Sequence, residues 1–167
     1  GSTVAVGGSA SLDECGILPL LRSGNYTFLD RYAPGITAEQ VEGVFRQSFF
    51  ADTYLCSSNA VTENGELYNV DGNSNRVAAM VFGPKSVILV VGYNKVVRDL
   101  AEAERRVQEI AAPANAKRLG CKTPCAATGV CADCKSNARI CCTAVIHRRQ
   151  RAKGRIKVIL VGEPLGF

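Results

Sequence analysis

Cysteines are concentrated in one short segment of this sequence. Six of the eight cysteines fall within 22 residues, and they are Cys121, Cys125, Cys131, Cys134, Cys141 and Cys142. Two residues separate Cys131 from Cys134, a spacing that lets both thiolates reach one metal ion. A four-thiolate site from Cys125, Cys131, Cys134 and Cys141 would hold either zinc or an iron–sulfur cluster, and the spacing does not choose between them. The alternatives are disulfide or redox pairs and free buried thiols.

A pair of glycines follows the first strand-like run of the chain. Gly7, Gly8 and Ser9 come directly after the run 3–6. Glycines let the backbone approach an anion closely, and ligands of open α/β sheets lie outside the carboxyl ends of the strands. The segment therefore predicts a ligand-binding turn. A tight strand-to-helix turn without a ligand is the alternative, because the full dinucleotide-binding fingerprint is absent.

Polar residues are dense between positions 58 and 76. Glu63 is a candidate nucleophile or base, and the candidate donors to an acyl or phosphate oxygen are Asn59, Asn73, Asn75 and Arg76. Turn chemistry explains part of this density, since Asn-Gly and Asp-Gly are preferred turn dipeptides. The excess over what turns need predicts a polar pocket for a small molecule with an acyl or phosphate group.

The positive charge of the chain is uneven. The net charge is +5, and residues 134–162 contain eight Lys and Arg but no Asp or Glu. The densest part, residues 147–155, lies between two predicted strands and is interpreted as a solvated hairpin tip. Nucleic-acid binding would require aromatic residues or a groove-sized element nearby, and neither is present. We therefore expect no nucleic-acid partner.

The elements that must position these residues alternate between strands and helices. The unbroken apolar run 86–91 predicts a strand buried on both faces, as in a parallel sheet. Residues 98–111 carry apolar side chains at helical spacing. The alternation predicts an α/β fold, with a three-layer, mostly parallel sheet flanked by helices, and a Cys-rich loop over 121–142. With 167 residues, the chain is expected to form one domain over 1–167.

The apolar runs and the N-terminal residues bear on membrane contact and compartment. The longest apolar run is far shorter than the ~18–20 residues of a membrane-spanning helix, so no membrane contact is expected. The N-terminus shows no signal peptide, which predicts a cytoplasmic protein with reduced thiols, although a mature secreted form would read the same way. Cys15 and Cys56 lie on otherwise apolar elements and are interpreted as core residues.

Several motifs resemble the lactate utilization (LUD) domain family. They include Phe28-Leu29-Asp30-Arg31-Tyr32, Asn69-Val70-Asp71-Gly72-Asn73 and Asn75-Arg76-Val77-Ala78-Ala79, together with residues 7–9, 59–65, 82–84, 111–119 and 161–163. Cys125, Cys131, Cys134 and Arg139-Ile140-Cys141 resemble the cysteine pattern of the short, stand-alone branch of this family. The resemblance covers essentially the whole chain.

This resemblance implies a fold like that of the sugar-phosphate isomerase and CoA-transferase group. It also implies a bacterial protein of lactate or organic-acid utilization, acting alongside iron–sulfur partner proteins. Family members usually carry a helical segment before the first strand, and this chain is expected to lack it. Thr62-Glu63-Asn64-Gly65 is similar to the Ser-Glu-Asn-Gly segment of CoA-transferases, whose Glu forms an acyl-CoA thioester.

Three functions are therefore expected in order. The first is a component of lactate or organic-acid utilization, with a pocket at strand ends and a cysteine-ligated zinc or iron–sulfur site. The second is an acyl- or CoA-transferring enzyme that uses Glu63. The third is a non-catalytic binding module in which the metal is structural. The sequence leaves open whether the protein is an enzyme and whether it forms a homo-oligomer.

Overall fold

The apolar run in the middle of the chain forms a buried strand, as the sequence predicts. In the computed structural model, which describes residues 1–167, this strand spans Ser86–Gly92 and has a parallel neighbour on each side. In chain order the strands are β1 (Thr3–Val6), β2 (Thr27–Leu29), β3 (Thr53–Cys56), β4 (Ala60–Thr62), β5 (Leu67–Asp71), β6 (Ser86–Gly92), β7 (Val96–Val97), β8 (Thr143–His147) and β9 (Ile156–Val161). The α-helices are α1 (Ala10–Glu14), α2 (Ile17–Leu21), α3 (Ala38–Gln47), α4 (Asn75–Val81), α5 (Leu100–Arg106), α6 (Ala112–Arg118) and α7 (Pro124–Thr128).

The chain divides into two compact units. The first consists of Gly1–Ser57, Asn75–Tyr93 and Gln150–Gly166, and the second consists mainly of Ser58–Ser74 and Asn94–Arg149. Each unit has its own sheet, and neither is a continuous stretch of sequence. That residues 1–167 act as one domain stays a prediction.

The first unit contains a five-stranded, fully parallel sheet. Its strand order is β2-β1-β3-β6-β9. After β1 the chain moves to one side to form β2, and then crosses to the other side of β1 to form β3. The direction of strand addition therefore reverses between β1 and β3. In open α/β sheets, the crevice at such a reversal is where ligands bind.

Helices flank this sheet, which confirms the predicted α/β class. Leu12 of α1 and Leu21 of α2 are buried in one apolar cluster with Val4 and Val90 of the sheet. Helix α4 contacts β3 and α3. Helix α3 begins with a capping box, in which Gln40 N–H donates to Thr37 Oγ1 and Thr37 N–H donates to Gln40 Oε1.

The second unit contains a four-stranded sheet that the sequence does not predict. Its order is β7-β4-β5-β8, with β5 antiparallel to both neighbours and β4 parallel to β7. Ala103 and Val107 pack in an apolar cluster with Ala60 and Tyr68 of this sheet. The sheet is thus covered by the helix that follows β7.

That helix is longer than its sequence predicts. Helix α5 continues through a π-helical turn, Val107–Ala111, into α6, so the helical region extends past Pro113 to Arg118. Pro113 falls at the start of α6, where a missing N–H is tolerated. No helix of the structure combines the length and the apolar character that a membrane span requires.

The basic connection at residues 148–155 is not a hairpin tip, and that prediction is wrong. Strand β8 pairs with β5 in one sheet, whereas β9 pairs with β6 in the other. Arg155 is also not solvated as expected. It donates to three carbonyl oxygens, those of Pro84 (3.0 Å), Met80 (2.7 Å) and Ala79 (3.2 Å), and burial lowers its pKa. It thereby satisfies two carbonyls in the last turn of α4, those of Ala79 and Met80.

Candidate functional site

The glycine turn after β1 lies against two side chains of the first unit. Gly7 is buried, and its N–H donates to Leu55 O at 2.8 Å. A Cβ added at Gly7 would lie 3.1 Å from Tyr54 Oη and 3.1 Å from Arg76 Cδ. These distances are tighter than ordinary van der Waals contact, so glycine is what allows the Arg76 side chain to cross the backbone here.

Arg76 links the ends of the two strands between which the sheet reverses. It lies on α4, and its Nη1 donates to Ser57 O, just after β3, at 3.1 Å. Its aliphatic carbons lie against Gly7, just after β1. The structure therefore brings Gly7 and Arg76 together at the crevice where this fold class binds ligands.

The turn after β2 brings a second arginine to the same edge. Asp30 orders this turn, because its Oδ1 accepts the N–H of Tyr32 (2.8 Å) and its Oδ2 accepts Arg22 Nε (2.7 Å). The Arg31 guanidinium carbon lies 4.5 Å from the ring centroid of Phe45 and 5.2 Å from that of Tyr32. Sequence reasoning did not single out Arg31 as a site residue, although its position directly after a predicted strand was a usable signal.

Gly8 lies next to this arginine. It is exposed, and a Cβ on it would lie 3.5 Å from Tyr32 Oη and 3.6 Å from Arg31 Nη1, which is ordinary contact. Ser9 has a structural role, since its Oγ accepts the N–H of Leu12 and caps α1 at 3.3 Å. Asn75 is the first residue of α4 and is half-buried.

The remaining candidate polar residues lie in the second unit. The Oδ1 of Asn59 accepts the N–H of Val70 at 2.8 Å, and its backbone carbonyl accepts Arg106 Nη1 at 2.7 Å. Burial lowers the pKa of Arg106, which also donates to Asn94 O. These bonds give Asn59 a structural role, because they fasten the β4–β5 pair to α5.

Glu63 and Asn73 are both exposed. Glu63 lies at the tip of the β4–β5 hairpin, where Gly65 N–H donates to Thr62 O at 2.8 Å and Gly65 has a φ of +84°. A short hairpin loop of this kind requires a residue in the left-handed region, so Gly65 is explained by the turn alone. Nothing in the geometry of this tip sets Glu63 apart as a nucleophile.

The cysteine segment is partly ordered by Arg139. Its guanidinium donates to the backbone carbonyls of Cys134 (2.7 Å) and Cys141 (2.9 Å), and it pairs with Asp133 (3.0 Å). Asp133, inside the Cys131–Cys134 spacing, has a φ of +42°. These three contacts of Arg139 tie together the backbone between Asp133 and Cys141.

The cysteine thiols of this segment are free. Cys125, Cys131, Cys134 and Cys141 are half-buried, and no disulfide is formed. Burial raises the pKa of Cys141; Arg139 opposes this effect, and Cys131 and Cys134 add to it. No group of three or more His, Cys, Asp or Glu side chains is placed so that it could hold a metal ion. The type and number of the donors match a four-thiolate site, but the thiols are not gathered around one point.

The chain matches a known protein family over almost its whole length. The sequence model of the LUD domain family matches residues 1–161. The chain belongs to the LUD domain family. This confirms the resemblance seen in the sequence and links the LUD domain to lactate utilization in general terms. No curated protein matches the chain.

Among solved structures, this LUD domain is similar to a DUF162 family protein from Deinococcus radiodurans determined at 1.70 Å resolution. The sequence identity is 18%, the match covers 96% of this chain and 88% of that chain, and the TM-score is 0.38.

The two cysteines of the LUD domain that lie outside the cysteine-rich segment differ in burial. Cys56 lies on β3 and is fully buried, which confirms the prediction of a core residue. Cys15 is exposed, so the same prediction is wrong for it. It directly follows α1, a helix of only five residues that turns Leu12 inward and leaves its last residues in solvent.

Proposed function

We propose that this LUD domain takes part in the utilization of lactate or a related organic acid by binding the acid at the carboxyl edge of its five-stranded sheet. The observation that carries the proposal is the close approach of Arg76 to Gly7 at the reversal between β1 and β3. A guanidinium is the side chain best suited to bind a carboxylate through two parallel hydrogen bonds. Family membership supplies the class of ligand.

The binding proposal is tested by isothermal titration with L-lactate and with pyruvate. We expect saturable binding of at least one of them, weakened in Arg76→Gln and less so in Arg76→Lys. Arg118→Gln is the matched control, because Arg118 is exposed on α6 and bonds only to Asn115 of its own helix. Absence of binding by the native protein, or equal weakening by Arg118→Gln, would overturn the proposal.

For the cysteine segment we propose a zinc or iron–sulfur site ligated by Cys125, Cys131, Cys134 and Cys141. The support is a set of four free, half-buried thiols on one segment, whose type and number match a four-thiolate site. Bound zinc would cross-link the segment, whereas an iron–sulfur cluster would provide a centre for electron transfer. Since metal binding is coupled to the ordering of its ligands, the proposal requires the thiols to draw together on binding.

Metal analysis of protein purified without oxygen tests this second proposal. A brown protein with bound iron and sulfide, or a colourless one with one zinc per chain, would support it and would also choose between the two metals. A fully reduced, metal-free protein that binds neither zinc nor iron after reconstitution would overturn it.

A further inference from the structure

Arg31 differs from three other arginines of the first unit. Arg22 pairs with Asp30, Arg46 pairs with a glutamate of its own helix, and Arg155 donates to three backbone carbonyls. Arg31 makes no such contact. Its Nε is buried and has no hydrogen-bond partner. A buried donor without a partner is unfavourable, and no acceptor of the fold satisfies this guanidinium.

The guanidinium of Arg31 is held in place without being neutralised. It lies over the ring of Phe45, on α3, and over that of Tyr32, in the turn after β2. Stacking fixes the plane of a guanidinium while leaving its N–H edge available to an anion. Less side-chain freedom is then lost when an anion binds, which favours affinity.

This edge lies beside the glycine turn. Arg31 Nη1 and Tyr32 Oη both approach Gly8, the exposed neighbour of the glycine that contacts Arg76. Two hydrogen-bond donors of different kinds therefore converge on the turn that follows β1. No acidic side chain pairs with Arg31 there, since the one nearby carboxylate in the sequence, Asp30, is bonded to Arg22 and to the Tyr32 N–H.

We infer that Arg31 is an oxyanion-binding residue that recognises the carboxylate of a small organic acid, with the Tyr32 hydroxyl as a second donor. The inference rests on the proposed function for the class of ligand, and it adds to Arg76 a second residue, outside the predicted site, that recognises the acid group. Inorganic phosphate offers the same oxyanion chemistry, so the test must separate the two sources.

The test uses the full chain and four probes: L-lactate, pyruvate, L-lactamide and inorganic phosphate. L-Lactamide keeps the shape of lactate but has no negative charge. Isothermal titration is carried out on the native protein and on Arg31→Gln, Arg31→Lys and Arg46→Gln. Arg46→Gln is the matched control, because Arg46 neighbours Phe45 on α3 but is exposed and already paired. Thermal unfolding of each variant verifies that it is folded.

We expect Arg31→Gln to weaken lactate or pyruvate binding about 10- to 100-fold, the effect of losing a charge-assisted hydrogen bond. The affinity of Arg31→Lys should lie between those of the native protein and Arg31→Gln, and Arg46→Gln should bind with the native affinity. The native protein should prefer lactate to lactamide, and Arg31→Gln should lose that preference.

The other outcomes are decisive as well. If lactate binds the native protein and Arg31→Gln equally, the inference is overturned while the proposed function stands. If phosphate binds in an Arg31-dependent manner and neither organic acid binds, Arg31 is an oxyanion residue but the proposed function fails. If no probe binds the native protein, both are overturned.

Discussion

Replacing Gly7 by alanine tests whether the β1 turn and Arg76 are packed as closely as the structure shows. The new Cβ would lie 3.1 Å from Tyr54 Oη, 3.1 Å from Arg76 Cδ and 3.2 Å from Arg76 Cγ. Favourable contact between carbon atoms lies near 3.5–4.0 Å. The neighbours must therefore move by a few tenths of an ångström.

The two neighbours differ in how they can respond. Tyr54 is only 2% exposed and sits on β3, so its ring has little room to retreat. Arg76 has a flexible aliphatic chain at the sheet edge, so it is the side chain that moves. Overpacking of a tight site costs about 1–3 kcal/mol, and a partner that can yield favours the lower end, about 1 kcal/mol. For a chain of this size, that lowers the Tm by about 2–4 °C.

Displacement of Arg76 should also weaken ligand binding. We expect Gly7→Ala to weaken L-lactate or pyruvate binding about tenfold, because the guanidinium no longer lies where the ligand meets it. Thermal unfolding and isothermal titration on the same preparation give both quantities.

Two matched controls accompany this variant. A Cβ at Gly8 makes only ordinary contacts, and a Cβ at Gly43 on α3 meets no atom within 4 Å. Gly8→Ala should leave stability within about 0.5 kcal/mol of native. Gly43→Ala should raise it by about 0.5–1 kcal/mol, as expected for alanine in a helix interior. If Gly7→Ala matches the native protein in both Tm and affinity, the close packing at the β1 turn is refuted.

Three further predictions concern stability and metal binding. Gly83→Ala should lower the free energy of unfolding by about 2–3 kcal/mol in urea titration, because its Cβ would lie 2.7 Å from the backbone oxygen of Ala79; native-like stability would contradict the packing of this turn. Arg155→Ala should cost a similar amount, about 2–3 kcal/mol, since it removes the donor to three carbonyls; an unchanged unfolding midpoint would show that water replaces it. Cys131→Ser should abolish the metal found by elemental analysis, whereas Cys142→Ser should retain it; equal loss in both would refute the proposed ligand set.

Local sequence patterns predicted the elements whose buried faces can be recognised from their own residue types. The strand Ser86–Gly92 is apolar from Val87 to Val91 and lies between two parallel neighbours. Most of residues 98–111, whose apolar side chains recur at helical spacing, fall in α5 and the π-helical turn after it. In each case, the information lies within a few residues of the element. The α/β class and the family followed from such segments.

The second sheet and the basic connection were not predictable in the same way. Strand β8 pairs with β5, more than 70 positions earlier in the chain, and β9 pairs with β6 rather than with β8. Register between distant strands depends on tertiary packing, which a local pattern does not contain. Two strands flanking a polar segment therefore predicted a hairpin that does not form.

The candidate site was predicted in part for a related reason. Gly7 and Arg76 were singled out by their types, and the structure brings them together. Asn59 was singled out for the same reason, but its side chain holds the Val70 N–H, a bond that only the folded chain shows. Arg31 was missed because its lack of a partner is a property of the fold.

The central claim is that this LUD domain binds an organic acid at the Gly7–Arg76 edge of its five-stranded sheet. The most direct measurement is a crystal structure of the native protein soaked with L-lactate or pyruvate. Electron density for the acid is expected beside Gly7 and Gly8, with its carboxylate within hydrogen-bond distance of Arg76 or Arg31. Density for the acid at another place, with this edge unoccupied, would contradict it.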